Sequence, residues 1–194
     1  MAAPMSKSAL LALDHDTRAF TLVGGFMGYF ALLEAGINGA MGDVLDVEPP
    51  KLSIITRNMS LNDKINALRS LVNYYVTDKA KADEFDKWAV RARKISETRN
   101  IVAHTAFRAS PKTDGVEFFT IEAKKHLKFA ETDWTVEEFL ARIDEIQTVD
   151  NNLRSIKSRM SLQRIAEALM RSPPRGAFGG LFGLGAALTS DEKS

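Results

Sequence analysis

The chain has 194 residues, 45% of them hydrophobic and 26% charged, which fits one domain with enough sequence to bury a core. Lysine and arginine number 26 against 25 aspartate and glutamate, so the whole chain is no electrostatic magnet for nucleic acid and any polyanion site must be local. There is no cysteine, which excludes disulfides, thiol catalysis and cysteine-ligated zinc and suits a reducing cytoplasm, the expected location.

Residues 1–16 read as an N-terminal lead. Its apolar run lacks a basic start and acids follow closely, so no signal peptide is expected. From about residue 17 to 47 the pattern is helical, with Val23, Phe26, Phe30, Ile37, Met41 and Val44 on one face. A second stripe is uniformly small: Gly24, Gly28, Ala31, Ala35, Gly39 and Gly42. Each glycine costs a helix roughly 1 kcal/mol relative to alanine, so this stripe predicts close approach of another backbone and a central helix packed on two sides. The apolar run 22–33 is too short to span a bilayer before Glu34 interrupts it, and no membrane span or membrane partner is expected.

"VEPP" ends this helix, because proline cannot continue it. After a short segment at 51–58, "SLNDKINALRSLVNYYV" predicts a second main helix with Ser60 as N-cap and Asp63 three residues on. A third runs over about 79–107, marked by Phe85, Trp88, Ala92, Ile95 and Val102. "VEFFTIEAKKHLKFAE" reads as a hairpin turning near Lys124 and Lys125. "TVEEFLARIDEIQTVDNNLRSIKSRM" is the last long helix, opened by a capping box of Thr135 and Glu138. "RSPPRG" closes the folded part, leaving residues 173–194 as a Gly-rich, flexible tail. The expected fold is mainly α: an antiparallel bundle of about four principal helices over residues 17–172, with a short β-hairpin before the last.

Two charges stand in the wrong place. Projected at about 100° per residue, Arg99 falls inside the apolar stripe of the third helix, and Glu34 inside that of the first. Buried arginine is rare unless paired. Two readings stay open: the two residues form a buried ion pair, or both line a polar cleft where Arg99 meets a substrate phosphate.

Asn100 and His104 are four apart and share a helix face, whereas Arg99 and His104 diverge by about 140° on a regular helix. A flexible arginine, a frayed helix end or a second copy of the chain must close that gap. Histidine exchanges protons near neutral pH, and arginine presents planar donors to a phosphate and to the charge that grows on it during transfer. A general base, a phosphate clamp and an orienting amide suffice to cleave RNA when the ribose 2′-hydroxyl is the nucleophile. Local basic sets for such a polyanion are Arg91-Arg93-Lys94, Lys124-Lys125-Lys128 and Arg154-Lys157-Arg159, although a charge run is more often a solvated face. His15 between Asp14 and Asp16 reads as chain-end chemistry rather than a metal site. No P-loop, dinucleotide fingerprint, HExxH or GxSxG is present, and no cofactor is expected.

The stretch "RNIVAH" resembles the R-x4-6-H signature of HEPN domains, which often carry a polar residue straight after the arginine. "MGYFALLEAGINGAMGDVL" and "SLNDKINALRSL" resemble the first and second helices of such proteins, and the order of motif helix, hairpin and final helix beginning "WTVEEF" is similar. The resemblance covers roughly residues 17–160. It implies a metal-independent endoribonuclease of a toxin or antiviral-defence kind, with two motifs meeting in the cleft of a homodimer. Carried over, Arg99 would stabilise the phosphorane-like transition state, His104 would act as general base or acid, and Asn100 would orient or bind. A supporting role for Glu34 comes from the helical projection alone. Other HEPN domains are non-catalytic dimerisation or binding modules, so that alternative stays open, as does a protein inhibitor or partner.

Overall fold

A computed structural model describes residues 6–123 and 127–170, with backbone alone for 120–123, 127–131 and Leu169. The lead contains a short helix, α1 (Lys7–Leu11), capped by Ser6 and not anticipated from the sequence. The long helix α2 (His15–Leu45) starts two residues earlier than its apolar pattern, because the Asp14 carboxylate accepts a hydrogen bond from the Thr17 amide at 2.9 Å and caps it. It stops at Asp46, which takes the left-handed conformation at φ 57° and returns its amide to the Gly42 carbonyl.

Leu22, Phe26, Phe30, Leu33, Ile37 and Met41 of α2 are buried, and α6 (Val136–Arg154) and α4 (Leu61–Tyr75) are its main neighbours. At Gly36 the approach to α6 is so close that the Asp150 carboxylate occupies the space a Cβ would need, and Arg154 donates from Nη2 to the Leu32 carbonyl at 3.2 Å. The small-residue stripe behaves otherwise. A Cβ on Gly24, Gly28 or Gly39 would meet no atom within 4 Å, and Ala31 and Ala35 are exposed. Gly42 alone of the stripe is closely approached, its Cβ position lying 3.1 Å from the Val47 carbonyl and 3.2 Å from Leu52. The expectation of close approach is therefore corrected for the stripe from Gly24 to Gly39, which looks away from the neighbours that gather on the large-residue face of α2. As one continuous helix of 31 residues, α2 is also long and apolar enough to cross a membrane by length and composition, which the break expected at Glu34 had set aside. In this fold Leu22, Phe26, Phe30, Leu33, Ile37 and Met41 are buried against protein, while Phe20 and Leu32 of the same helix are exposed.

After α3 (Pro49–Thr56), with proline in its first turn, the predicted capping box opens α4: Ser60 accepts from the Asp63 amide and the Asp63 carboxylate accepts from the Ser60 amide. The motif helix α5 (Lys79–His104) is capped by Asp78 and ends three residues short of the sequence expectation, where Thr105 turns extended. Arg91 of α5 reaches Glu145 of α6 at 3.2 Å.

The sheet has three antiparallel strands in the order β1 (Phe107–Ala109), β2 (Val116–Ala123) and β3 (Leu127–Trp134). The first strand was not read from the sequence, where three residues carry no usable alternation. It pairs Arg108 with Glu117 and Phe107 with Phe118. The turn expected at Lys124 and Lys125 lies outside the described residues. One sheet face joins the core: Phe118 stacks at 4.9 Å on Trp134 and at 6.1 Å on Phe139 of α6, which meets Phe26 of α2 at 6.4 Å. The β1–β2 loop is held by side chains, with Ser110 and Thr113 donating to the two Asp133 carboxylate oxygens at 2.6 and 2.8 Å. Gly115 lies directly against the Trp134–Thr135 backbone, with no room for a Cβ. Gly115→Ala is expected to cost about 1–3 kcal/mol, read as a lower thermal midpoint, because backbone on both sides must shift.

The last helix is broken rather than continuous. The Ser155 hydroxyl donates to the Asn152 carbonyl at 2.6 Å, closing α6 before α7 (Ile156–Met170) begins. The chain divides into two compact units at this point, one through Lys157 and one from Ser158. In the second, Gln163 donates to Glu167 at 2.9 Å across one helical turn. The Gly-rich tail lies outside the described residues.

Candidate functional site

Arg99 occupies the face of α5 that also buries Ala92, Ile95 and Val102. Its side chain is half-buried, with the guanidinium carbon 5.6 Å from the centroid of the Phe30 ring on α2. Nε is sealed from solvent and has no hydrogen-bond partner, while Nη1 donates to the Asn100 side-chain oxygen at 3.4 Å. A guanidinium over a ring gains some electrostatic attraction, but an orphaned buried N–H keeps its desolvation cost. Among the described residues Arg99 has no acidic partner.

Glu34 does not supply one. Its carboxylate takes the Lys64 ammonium of α4 at 3.0 Å, with 9% of the lysine side chain and 39% of the glutamate side chain exposed. Glu34 sits at the margin of the α2 apolar face, turned toward α4. The ion-pair reading of Glu34 with Arg99 is thereby replaced by a Glu34–Lys64 pair. The signal for Lys64 was present in the sequence, since it shares the helical spacing of the buried Leu68 and Val72.

Asn100 is exposed, and His104, also exposed, is the last residue of α5. The helix stays regular through His104, so the divergence of about 140° between Arg99 and His104 stands within one chain. The structure thus joins Arg99 to Asn100 by a hydrogen bond, keeps Asn100 and His104 on one face of α5, and leaves Arg99 and His104 diverging. Chemically, the half-buried cation lacks an anion and the exposed imidazole is accessible to solvent and ligand.

A well-formed cleft lies elsewhere. A cavity of about 470 Å³ lies between α4 and the N-terminal half of α5, lined by Asn66, Asn73, Phe85 and Asp83 around an Arg69–Asp86 pair. Arg69 donates from Nε and Nη2 to Asp86 at 2.5 and 3.0 Å, and that hydrogen bond raises the arginine pKa further above its usual value. Asp86 is about 20 Å of helix away from Arg99, so this cleft is not the motif site, and its arginine is already occupied by a carboxylate.

The basic sets read from the sequence are partly engaged. Arg91 is held by Glu145, and Arg154 by Asp150 at 2.8 Å. Arg93, Lys94 and Lys157 are exposed. Lys124 and Lys125 lie outside the described residues, as does the Lys128 side chain. Asp14, beside His15, serves as the α2 cap, and hydrogen bonds from Thr17, side chain first and amide second, hold its carboxyl below the usual range. Among the described residues no three His, Asp or Glu side chains come together as a metal-holding group. Compared with protein-family models, curated proteins and solved structures, the chain matches none of them.

Proposed function

We propose that this chain is a metal-independent endoribonuclease of the HEPN type, working in the cytoplasm as a homodimer on an RNA substrate, as a toxin or a defence ribonuclease. Arg99 holds the scissile phosphate and the charge that develops on it, His104 moves the proton, and Asn100 orients the arginine. Glu34 supports this arrangement at one remove, by anchoring α4 to α2 through Lys64. The reaction requires the 2′-oxygen to attack phosphorus while the 5′-oxygen leaves, with one proton taken from the 2′-hydroxyl and one delivered to the leaving oxygen. No cofactor takes part.

The observation that carries this reading is the unpaired Arg99. A permanent charge held half-buried over Phe30, its Nε without a partner and the nearby acid bound to a lysine, has no structural counter-ion among the described residues. An anionic ligand supplies what is missing. The divergence of Arg99 and His104 supports a homodimer, because one rigid helix does not focus both groups and a second motif can supply the missing one.

A second reading has its own support. The bare small-residue face of α2 and the near-neutral charge favour a non-catalytic module that dimerises and binds RNA or a protein partner. One experiment separates the two. The purified chain, incubated with cellular RNA and a chelator, is expected to leave 2′,3′-cyclic phosphate ends. RNA that stays intact across a range of single-stranded and structured substrates would hand the lead to the second reading.

A further inference from the structure

We propose that Arg108 and Phe119 form a docking patch for single-stranded RNA beside the motif, one that fixes the strand rather than cuts it. This inference rests on the ribonuclease reading for its substrate, but its geometry stands apart from Arg99 and His104.

Glu117 on β2 is 1% exposed, yet its cationic partners are at the surface: Arg108 donates from Nε at 2.6 Å with 57% of its side chain exposed, and Lys112 lies at 3.8 Å with 63% exposed. A buried carboxylate costs free energy to desolvate, and here that cost is offset by gripping an arginine whose other end faces solvent. The grip uses Nε alone. Among the described residues Nη1 and Nη2 make no hydrogen bond, which leaves the planar fork that matches phosphate oxygens. The guanidinium carbon also lies 5.0 Å from the centroid of the Phe119 ring, which is 38% exposed.

A pinned cation with free terminal donors beside an exposed aromatic ring is the pair of groups that unpaired nucleotides use: phosphate on the arginine, base against ring or guanidinium plane. A duplex does not offer its base faces this way. Position favours the same ligand. The Phe119 amide donates to the Ala106 carbonyl at 2.9 Å, and Ala106 is two residues past His104. At most about 7 Å of chain separates the Cα atoms of His104 and Ala106, so the patch adjoins the stretch of chain that carries the exposed imidazole.

The test uses a short fluorescent 2′-O-methyl RNA, which carries no nucleophile and is not cleaved, followed by anisotropy on His104→Ala protein. Binding is expected, weaker for the duplex form. Adding Phe119→Leu, which leaves Arg108 and Glu117 paired, should weaken binding roughly 5- to 100-fold with little change in salt dependence. Adding Arg108→Gln should lower affinity and reduce the slope of log K against log salt by about 0.7, the loss of one phosphate contact. Should that variant fail to fold because Glu117 loses its partner, the Phe119→Leu result decides alone. Unchanged affinity in Phe119→Leu overturns the patch while leaving the ribonuclease reading to the cleavage assay. Absence of any binding by His104→Ala protein overturns the patch as well.

Discussion

His104→Ala is expected to lower RNA cleavage by about 100- to 10,000-fold, the usual worth of a positioned general acid or base, with no change in thermal midpoint. The side chain is exposed at a helix end and makes no hydrogen bond among the described residues, so its removal costs the fold within about 0.5 kcal/mol. Arg99→Ala should lose about 100- to 1,000-fold, the scale for removing a donor aimed at developing charge. Its effect on stability separates two accounts of the residue. An arginine in a buried ion pair would cost roughly 3–5 kcal/mol on truncation. An arginine whose Nε is already unpartnered should cost far less. Arg99→Lys should not restore activity, since an ammonium lacks the planar fork. Mixing the two dead variants is the sharper experiment. If each site takes its arginine from one copy and its histidine from the other, random exchange regenerates one intact site in each heterodimer, or about a quarter of wild-type activity. If both groups come from one copy, mixing restores nothing.

The parts of this fold legible in the sequence are those written in local chemistry. The Ser60 N-cap and the capping box of Thr135 with Glu138 are short-range events and stand as read, Asp63 completing a box at Ser60 as well. The mainly helical character follows from apolar spacing that α2, α4, α5 and α6 bury. What was not legible depended on partners far along the chain. β1 is three residues long and exists because β2 offers it a ladder. The break at Ser155 turns on a hydroxyl choosing a backbone carbonyl over solvent. Helical projection put Arg99 and Glu34 on apolar faces, but a projection has no second helix in it, so Lys64 was missed as the carboxylate's partner. The same limit applied to the α2 glycines. Their cost calls for compensation, but the pattern does not say whether a compensating surface would belong to this chain. Arg108 escaped because its carboxylate, nine residues on, becomes a neighbour only through strand register.

Gly28→Leu is expected to split the proposed homodimer while making the isolated chain more stable, an opposed pair of effects that few interface mutations give. Within one chain a Cβ at residue 28 meets no atom within 4 Å and the position is exposed, so no clash is expected there. Replacing an exposed mid-helix glycine with a good helix former should gain about 0.5–1 kcal/mol. Across a helix pair built on small residues the same side chain pushes the two backbones apart, and the cost falls on assembly alone. Sedimentation should show the shift to monomer, and a melt at low protein concentration should show the raised midpoint. Gly36→Leu is the contrasting variant. Its position faces α6 and the Asp150 carboxylate, so it should lower the midpoint whatever the oligomeric state. If Gly28→Leu also abolishes cleavage, the active site depends on pairing through α2, and the divergence of Arg99 and His104 is explained. If Gly28→Leu protein stays dimeric and active, the copies meet on another face. The glycine stripe would then need a different partner, because a helix that carries several such costs on one open face gains nothing from them alone.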